Sequence, residues 1–222
     1  MSAPVAPDAR KRVGVLISGR GSNLQSLLDA AADPAYPAEI ALVISNKADA
    51  YGLVRAREAG VATAVVDHKA YAGRDAFDAA IDAALRDAGC ELICLAGFMR
   101  IFTPGFVNRW PNRILNIHPS LLPSFTGLHV QRRAIEAGAT IAGCTVHIVT
   151  PDLDAGPILA QAAVPVLADD TEASLSARIL AQEHRLYPAA LAWLASGRVR
   201  VDGNRATVDG ATADGVLLSP HP

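Results

Sequence analysis

Five short, mainly apolar runs, each leading into a turn or a helical pattern, most constrain what this chain can fold into. They cover residues 13–17, 40–44, 61–66, 92–96 and 114–117. Between them, Leu24, Leu27, Leu28 and Ala31 repeat at helical spacing, a helix is expected over 50–59 ending at Gly60, and another over 74–88 ending at Gly89. A strand apolar on both sides is buried on both faces, and intervening helices cover those faces. The expectation is therefore an α/β chain: a Rossmann-like, mostly parallel sheet with helices on both faces. After about residue 138 the pattern changes. Runs at 142–149 and 158–166 flank "TPDLDAG", which predicts an antiparallel strand addition in the C-terminal half. A long last helix is expected over 171–196, kinked or broken at Pro188. One domain over 13–200 follows, with a disordered tail at 1–12 and a C-terminal extension at 201–222.

Composition removes several classes. With 222 residues, 51% of them apolar, the chain can bury one sizeable core. A formal charge of −2 offers no basic field for nucleic acid. No run reaches the ~18 apolar residues a membrane helix needs. "MSAPVAPDARKR" lacks the apolar segment of a secretory signal. Cys90, Cys94 and Cys144 read as reduced core thiols, which suits a cytoplasmic protein.

The first turn, "ISGRGSNLQ", joins a strand to a helix through Gly19 and Gly21. Converging N–H groups and the helix dipole make such a turn an anion site, with Ser22 and Asn23 free to cap the helix or bond the anion. A dinucleotide is not read here. Leu24 stands where G-x-G-x-x-G needs a small residue, and the second strand ends in "ISNK" (residues 44–47), without the acid that holds a ribose. A P-loop would need Gly-Lys-Ser/Thr. A phosphomonoester site and an ordinary capped turn both remain open on these residues.

The strongest chemical signal is "ILNIHPSLLPSFTG" (residues 114–127). The strand period of two puts Asn116 and His118 on one face at the end of a buried strand, where open α/β sheets bind ligands. An amide can donate to an oxyanion and an imidazole can move a proton near neutral pH. The same pair could instead be a satisfied structural pair. In "GCTVHIVTPDLDAGPI" (residues 143–158), Asp154 precedes Ala-Gly-Pro and could orient His118, favour its charged form and raise its pKa. His147 reads as a structural hydrogen-bonder and Asp152 as a solvated turn residue. Ser120, past Pro119, should point away from His118. His118, His129 and His147 lack H-x-x-x-H or H-x-H spacing, so no metal is expected.

"ISGRGSNLQ", "ISNKADAYGLVRA", "LAGFMRI", "LNIHPSLLPSFTG", "GCTVHIVTPDLDAGPI" and "AQEHRLYP" together resemble the phosphoribosylglycinamide formyltransferase family of purine biosynthesis, from about Val13 to Gly197. The resemblance implies transfer of a formyl group from 10-formyltetrahydrofolate, as co-substrate, to the amine of phosphoribosylglycinamide, without metal. It implies that Gly21, Ser22, Asn23 and Glu183 bind the nucleotide. Glu183 alone would read as a surface helix residue. It implies folate contacts at Arg74, Met99, Arg100, Ile101, Phe102, Asn116 and Thr150, Pro151, Asp152, Leu153 and Asp154, with Met99, Ile101 and Phe102 as an apolar wall. His118 would be the proton donor, Asn116 the oxyanion stabiliser and Asp154 the group acting on His118. Leu180 departs from the family pattern and "TGLHVQRRA" carries no expectation. Partners would be small molecules, with no nucleic acid or membrane, in a monomer or homodimer. A formyl-folate hydrolase and a non-catalytic binding module are the alternatives from other classes.

Overall fold

A computed structural model describes residues 10–211. Its strands are β1 (Lys11–Ile17), β2 (Ala38–Ser45), β3 (Ala62–Val65), β4 (Leu92–Leu95), β5 (Ile114–His118), β6 (Ile141–Ile148), β7 (Ile158–Pro165), β8 (Val199–Asp202) and β9 (Arg205–Val208). Its helices are α1 (Ser22–Ala31), α2 (Gly52–Glu58), α3 (Arg74–Asp87), α4 (Pro104–Arg109), α5 (Val130–Glu136) and α6 (Glu172–Ala195). The sheet order is β3-β2-β1-β4-β5-β6-β7-β9-β8. The first five strands in that order are parallel, and β6 turns antiparallel to β5, with β7 antiparallel to β6. Chain order reverses at β1, which has β2 on one side and β4 on the other. This is the switch point at which such sheets open a ligand crevice.

Strand alternation sorts the core into two layers. Val13, Val15 and Ile17 pack with Leu24, Leu53 and Tyr187 from α1, α2 and α6. Leu16 points the other way, among Ile81 and Leu85 of α3 and Phe106 of α4. Gly14 lies under α3 so closely that a Cβ there would sit 2.1 Å from a Leu85 methyl carbon. The three cysteines are free and buried. Burial pushes the Cys90 thiol up to about 11 and Cys94 and Cys144 up to about 12.

Three expectations change. Pro188 does not break α6, which runs unbroken for 24 residues. Tyr187, Ala190 and Leu191 hold the helix on the sheet on that stretch, and the Pro188 carbonyl accepts the Tyr36 hydroxyl at 2.6 Å. The domain does not stop at 200, a boundary that would cut β8. The β8–β9 hairpin extends the sheet through a parallel contact of β9 with β7. At the other end, Lys11 and Arg12 already pair with β2, and Lys11 bonds Glu91 at 2.7 Å. The rest of the expected tail (1–9) and most of the expected extension (212–222) lie outside the described residues.

Candidate active site

β5 builds the centre of the site. Leu115 and Ile117 enter the core on one face, so Asn116 and His118 emerge on the other. Antiparallel pairing then sets His147 of β6 opposite Asn116. The turn after β6 folds back over this face and delivers Asp154. Its Oδ2 lies 3.7 Å from His118 Nδ1, and both side chains are 8% exposed. The turn is held by Gly156, where a Cβ would sit 1.9 Å from the Ile148 carbonyl oxygen. Asp154 itself takes a left-handed φ of 52°. Its Oδ2 also accepts the Gly127 amide at 2.9 Å.

The partners assign the protons. His118 Nε2 lies 3.1 Å from the Phe125 carbonyl, which can only accept, so Nε2 carries a hydrogen. A second proton, on Nδ1, would face the Asp154 carboxylate. His147 Nδ1 donates to the Ile148 carbonyl at 3.2 Å, leaving Nε2 to accept from Asn116 Nδ2 at 3.1 Å. Burial holds the His147 pKa below its usual value, against smaller opposing effects of the Ile148 bond and the Asp154 charge. A neutral His147 therefore fixes the Asn116 amide by one hydrogen and leaves the second free. Ser120 donates to the Ser124 carbonyl, away from His118.

The first turn forms a second polar region. Gly21 is the N-cap of α1, with φ +70°, and no side chain caps that helix. The turn packs so tightly on α2 that a Cβ on Gly21 would lie 2.7 Å from Gly52 Cα. Ser22 and Asn23 start the helix. Asn23 does not cap it; its Nδ2 donates to Glu183 Oε2 at 2.7 Å, and its Oδ1 is buried without a hydrogen-bond partner. Glu183 is therefore not a surface residue. It is 5% exposed because α6 crosses α1 there, and burial raises its pKa against the lowering bond from Asn23.

The expected folate contacts divide. Arg74 opens α3 and is exposed. Met99 and Ile101, on the loop after β4 with Arg100, are 62% and 53% exposed. Phe102, expected beside them, is buried instead. Its ring stacks on Phe106 at 4.0 Å and on Phe98 at 5.4 Å, inside the second core layer. On the β6–β7 turn, Pro151, Asp152 and Leu153 are exposed, and the Thr150 hydroxyl donates to the Asp152 carbonyl at 3.4 Å.

The family model described as formyl transferase matches residues 11–191. The chain belongs to the formyl transferase family. The chain is 46% identical over 196 residues to the phosphoribosylglycinamide formyltransferase of Escherichia coli K12, covering 88% of this chain and 92% of that one. It is 51% identical over 195 residues to the human trifunctional purine biosynthetic protein adenosine-3, covering 88% of this chain. It spans only 19% of that trifunctional relative's length. Its fold matches the crystal structure of glycinamide ribonucleotide transformylase 1 from Symbiobacterium toebii, with a TM-score of 0.88 and 53% identity over 90% of this chain and 94% of that one. Three contributors to the site are not legible in the sequence: the Gly127 amide, the Phe125 carbonyl and the His147–Asn116 bond. Backbone groups carry no sequence signature. The ladder register that brings His147 to Asn116 is legible only once β5 and β6 are known to pair.

Proposed function

We propose that this chain transfers the formyl group of 10-formyltetrahydrofolate to the amine of 5′-phosphoribosylglycinamide. The products are formylglycinamide ribonucleotide and tetrahydrofolate, a cytoplasmic step of de novo purine biosynthesis. The observation that carries the reading is the His118–Asp154 pair at 3.7 Å on the face that also presents Asn116. The names of the Escherichia coli and Symbiobacterium toebii relatives support the choice of acceptor.

In this reading the open N-terminus of α1, at Gly21, Ser22 and Asn23, grips the 5′-phosphate through backbone N–H groups, the Ser22 hydroxyl and the helix's partial positive charge. Glu183 faces the nucleotide from α6. Arg74, Met99, Arg100, Ile101 and residues 150–154 receive the folate, while Phe102 backs that loop from the core. The neutral amine attacks the formyl carbon, and its oxygen becomes negative. The free Asn116 amide hydrogen donates to that oxyanion. The attacking nitrogen, positive once bonded, gives a proton to His118, with Asp154 as counter-charge to the imidazolium, and His118 delivers a proton to N10 as the C–N10 bond breaks and the oxyanion closes to the carbonyl of the new formamide. No metal and no covalent enzyme intermediate enters the sequence.

The test follows tetrahydrofolate formation by the full chain with 10-formyltetrahydrofolate, with and without phosphoribosylglycinamide. Formation that depends on the amine supports the reading. Release of formate at the same rate without the amine would replace it with a hydrolase, and no turnover with a binding module.

A further inference from the structure

The "ISNK" segment, which breaks the dinucleotide pattern, has a use that the transfer chemistry leaves unexplained. Asn46, at the end of β2 where a ribose-binding acid would stand, is turned inward and only 3% exposed. Its Oδ1 accepts the Ser18 hydroxyl at 2.6 Å. Ser18, 5% exposed at the end of β1, also accepts the Met99 amide on its Oγ at 2.8 Å. One buried hydroxyl thus joins the ends of β1 and β2 to the loop after β4, across the switch point. As donor and acceptor at once, it specifies the position of all three segments.

From the geometry we infer that Ser18 is a positioning residue that couples the two substrate sites. This rests on the proposed function for the identity of the ligands. Ser18 directly precedes the anion turn, and Met99 opens the loop assigned to folate. The turn cannot yield toward α2: Gly52 N–H donates to the Gly19 carbonyl at 3.0 Å, and Gly21 lies in close contact with Gly52. A shift of the turn on gripping phosphate is therefore passed through Ser18 Oγ to the Met99 backbone, and folate seated on that loop braces the turn in return. Coupling of this kind is reciprocal, so each ligand tightens the other by one factor.

The experiment measures dissociation constants of phosphoribosylglycinamide and of tetrahydrofolate by calorimetry, each alone and with the other saturating. This pair cannot react because no formyl group is present. The wild-type chain is expected to show mutual tightening of ~5-fold or more. Ser18→Ala is expected to reduce that factor below ~2-fold while each ligand alone still binds. Asn46→Asp, which keeps an acceptor for the serine hydroxyl, is expected to retain it. If Ser18→Ala folds poorly by thermal melt, Asn46→Ala carries the same expectation as Ser18→Ala. Full coupling in either alanine variant, or independent binding in the wild type, overturns the inference and leaves the proposed function standing. Failure of the wild type to bind phosphoribosylglycinamide at all overturns both.

Discussion

Replacing Asp154 by Asn isolates the charge that the site places beside its imidazole. Asparagine keeps the size of the side chain and an oxygen for the Gly127 amide, which Asp154 accepts at 2.9 Å. What is lost is the negative charge 3.7 Å from His118 Nδ1. At an effective dielectric of ~20, a unit charge pair at that separation is worth about 4 kcal/mol. Both groups are nearly buried, so their desolvation offsets part of it, leaving an expected loss of about 2.7 kcal/mol in the step that charges the ring. That corresponds to ~10²-fold in kcat. The KM values should stay within ~3-fold, since asparagine keeps the size of the side chain and the shape of the 150–154 turn that receives the folate. The assay is steady-state tetrahydrofolate formation, with circular dichroism and thermal melting to establish that the variant is folded. A folded Asp154→Asn enzyme that keeps more than about a third of wild-type kcat would refute the electrostatic reasoning.

Ser22→Ala should raise KM for phosphoribosylglycinamide several-fold and leave the folate KM unchanged; steady-state titration of each substrate separates the two. Glu183→Gln should become progressively more stable than wild type as pH rises. Burial raises the Glu183 pKa above the ordinary glutamate value of 4.5, so the folded chain holds its proton longer than the unfolded chain and loses stability as pH climbs from that value upward. Melting temperatures at pH 4.5 and pH 8 read this directly, and a constant difference between the two proteins would contradict it. Gly156→Ala should cost ~1–3 kcal/mol by urea unfolding and lower kcat, because its Cβ would strike the Ile148 carbonyl and shift the turn that carries Asp154.

Much of this architecture is legible in the sequence, because the signals that carry it are local. Apolar runs and helical spacing marked β1 to β5, α1 and α3, and the strand period placed Asn116 beside His118. Helices of six and seven residues, α4 and α5, span too few turns to show periodicity, whereas α2, also of seven residues, is marked by the Gly60 that stops it. The β8–β9 hairpin was lost because its four-residue strands alternate half-buried and exposed positions without a continuous apolar run. The misreadings share one cause: burial decided by distant elements. Glu183 looks exposed until α1 is laid across α6, and Phe102, which the family resemblance assigns to a ligand wall, is taken into the core by Phe106 and Phe98. The Asp154–His118 approach, which the sequence does suggest, is likewise made by distant elements. It depends on a β6–β7 turn folding back over β5, which the sequence offers only as Ala-Gly-Pro after an aspartate.

The central claim, that His118, Asn116 and Asp154 serve formyl transfer to an amine, is tested most directly by the fate of an isotopically labelled formyl group. The full chain is given labelled 10-formyltetrahydrofolate and phosphoribosylglycinamide, and the products are separated and identified by mass spectrometry. The label should appear on the nucleotide amine in step with tetrahydrofolate, and His118→Ala should suppress both together. Label recovered as formate, or transfer undiminished in a folded His118→Ala protein, would contradict the account.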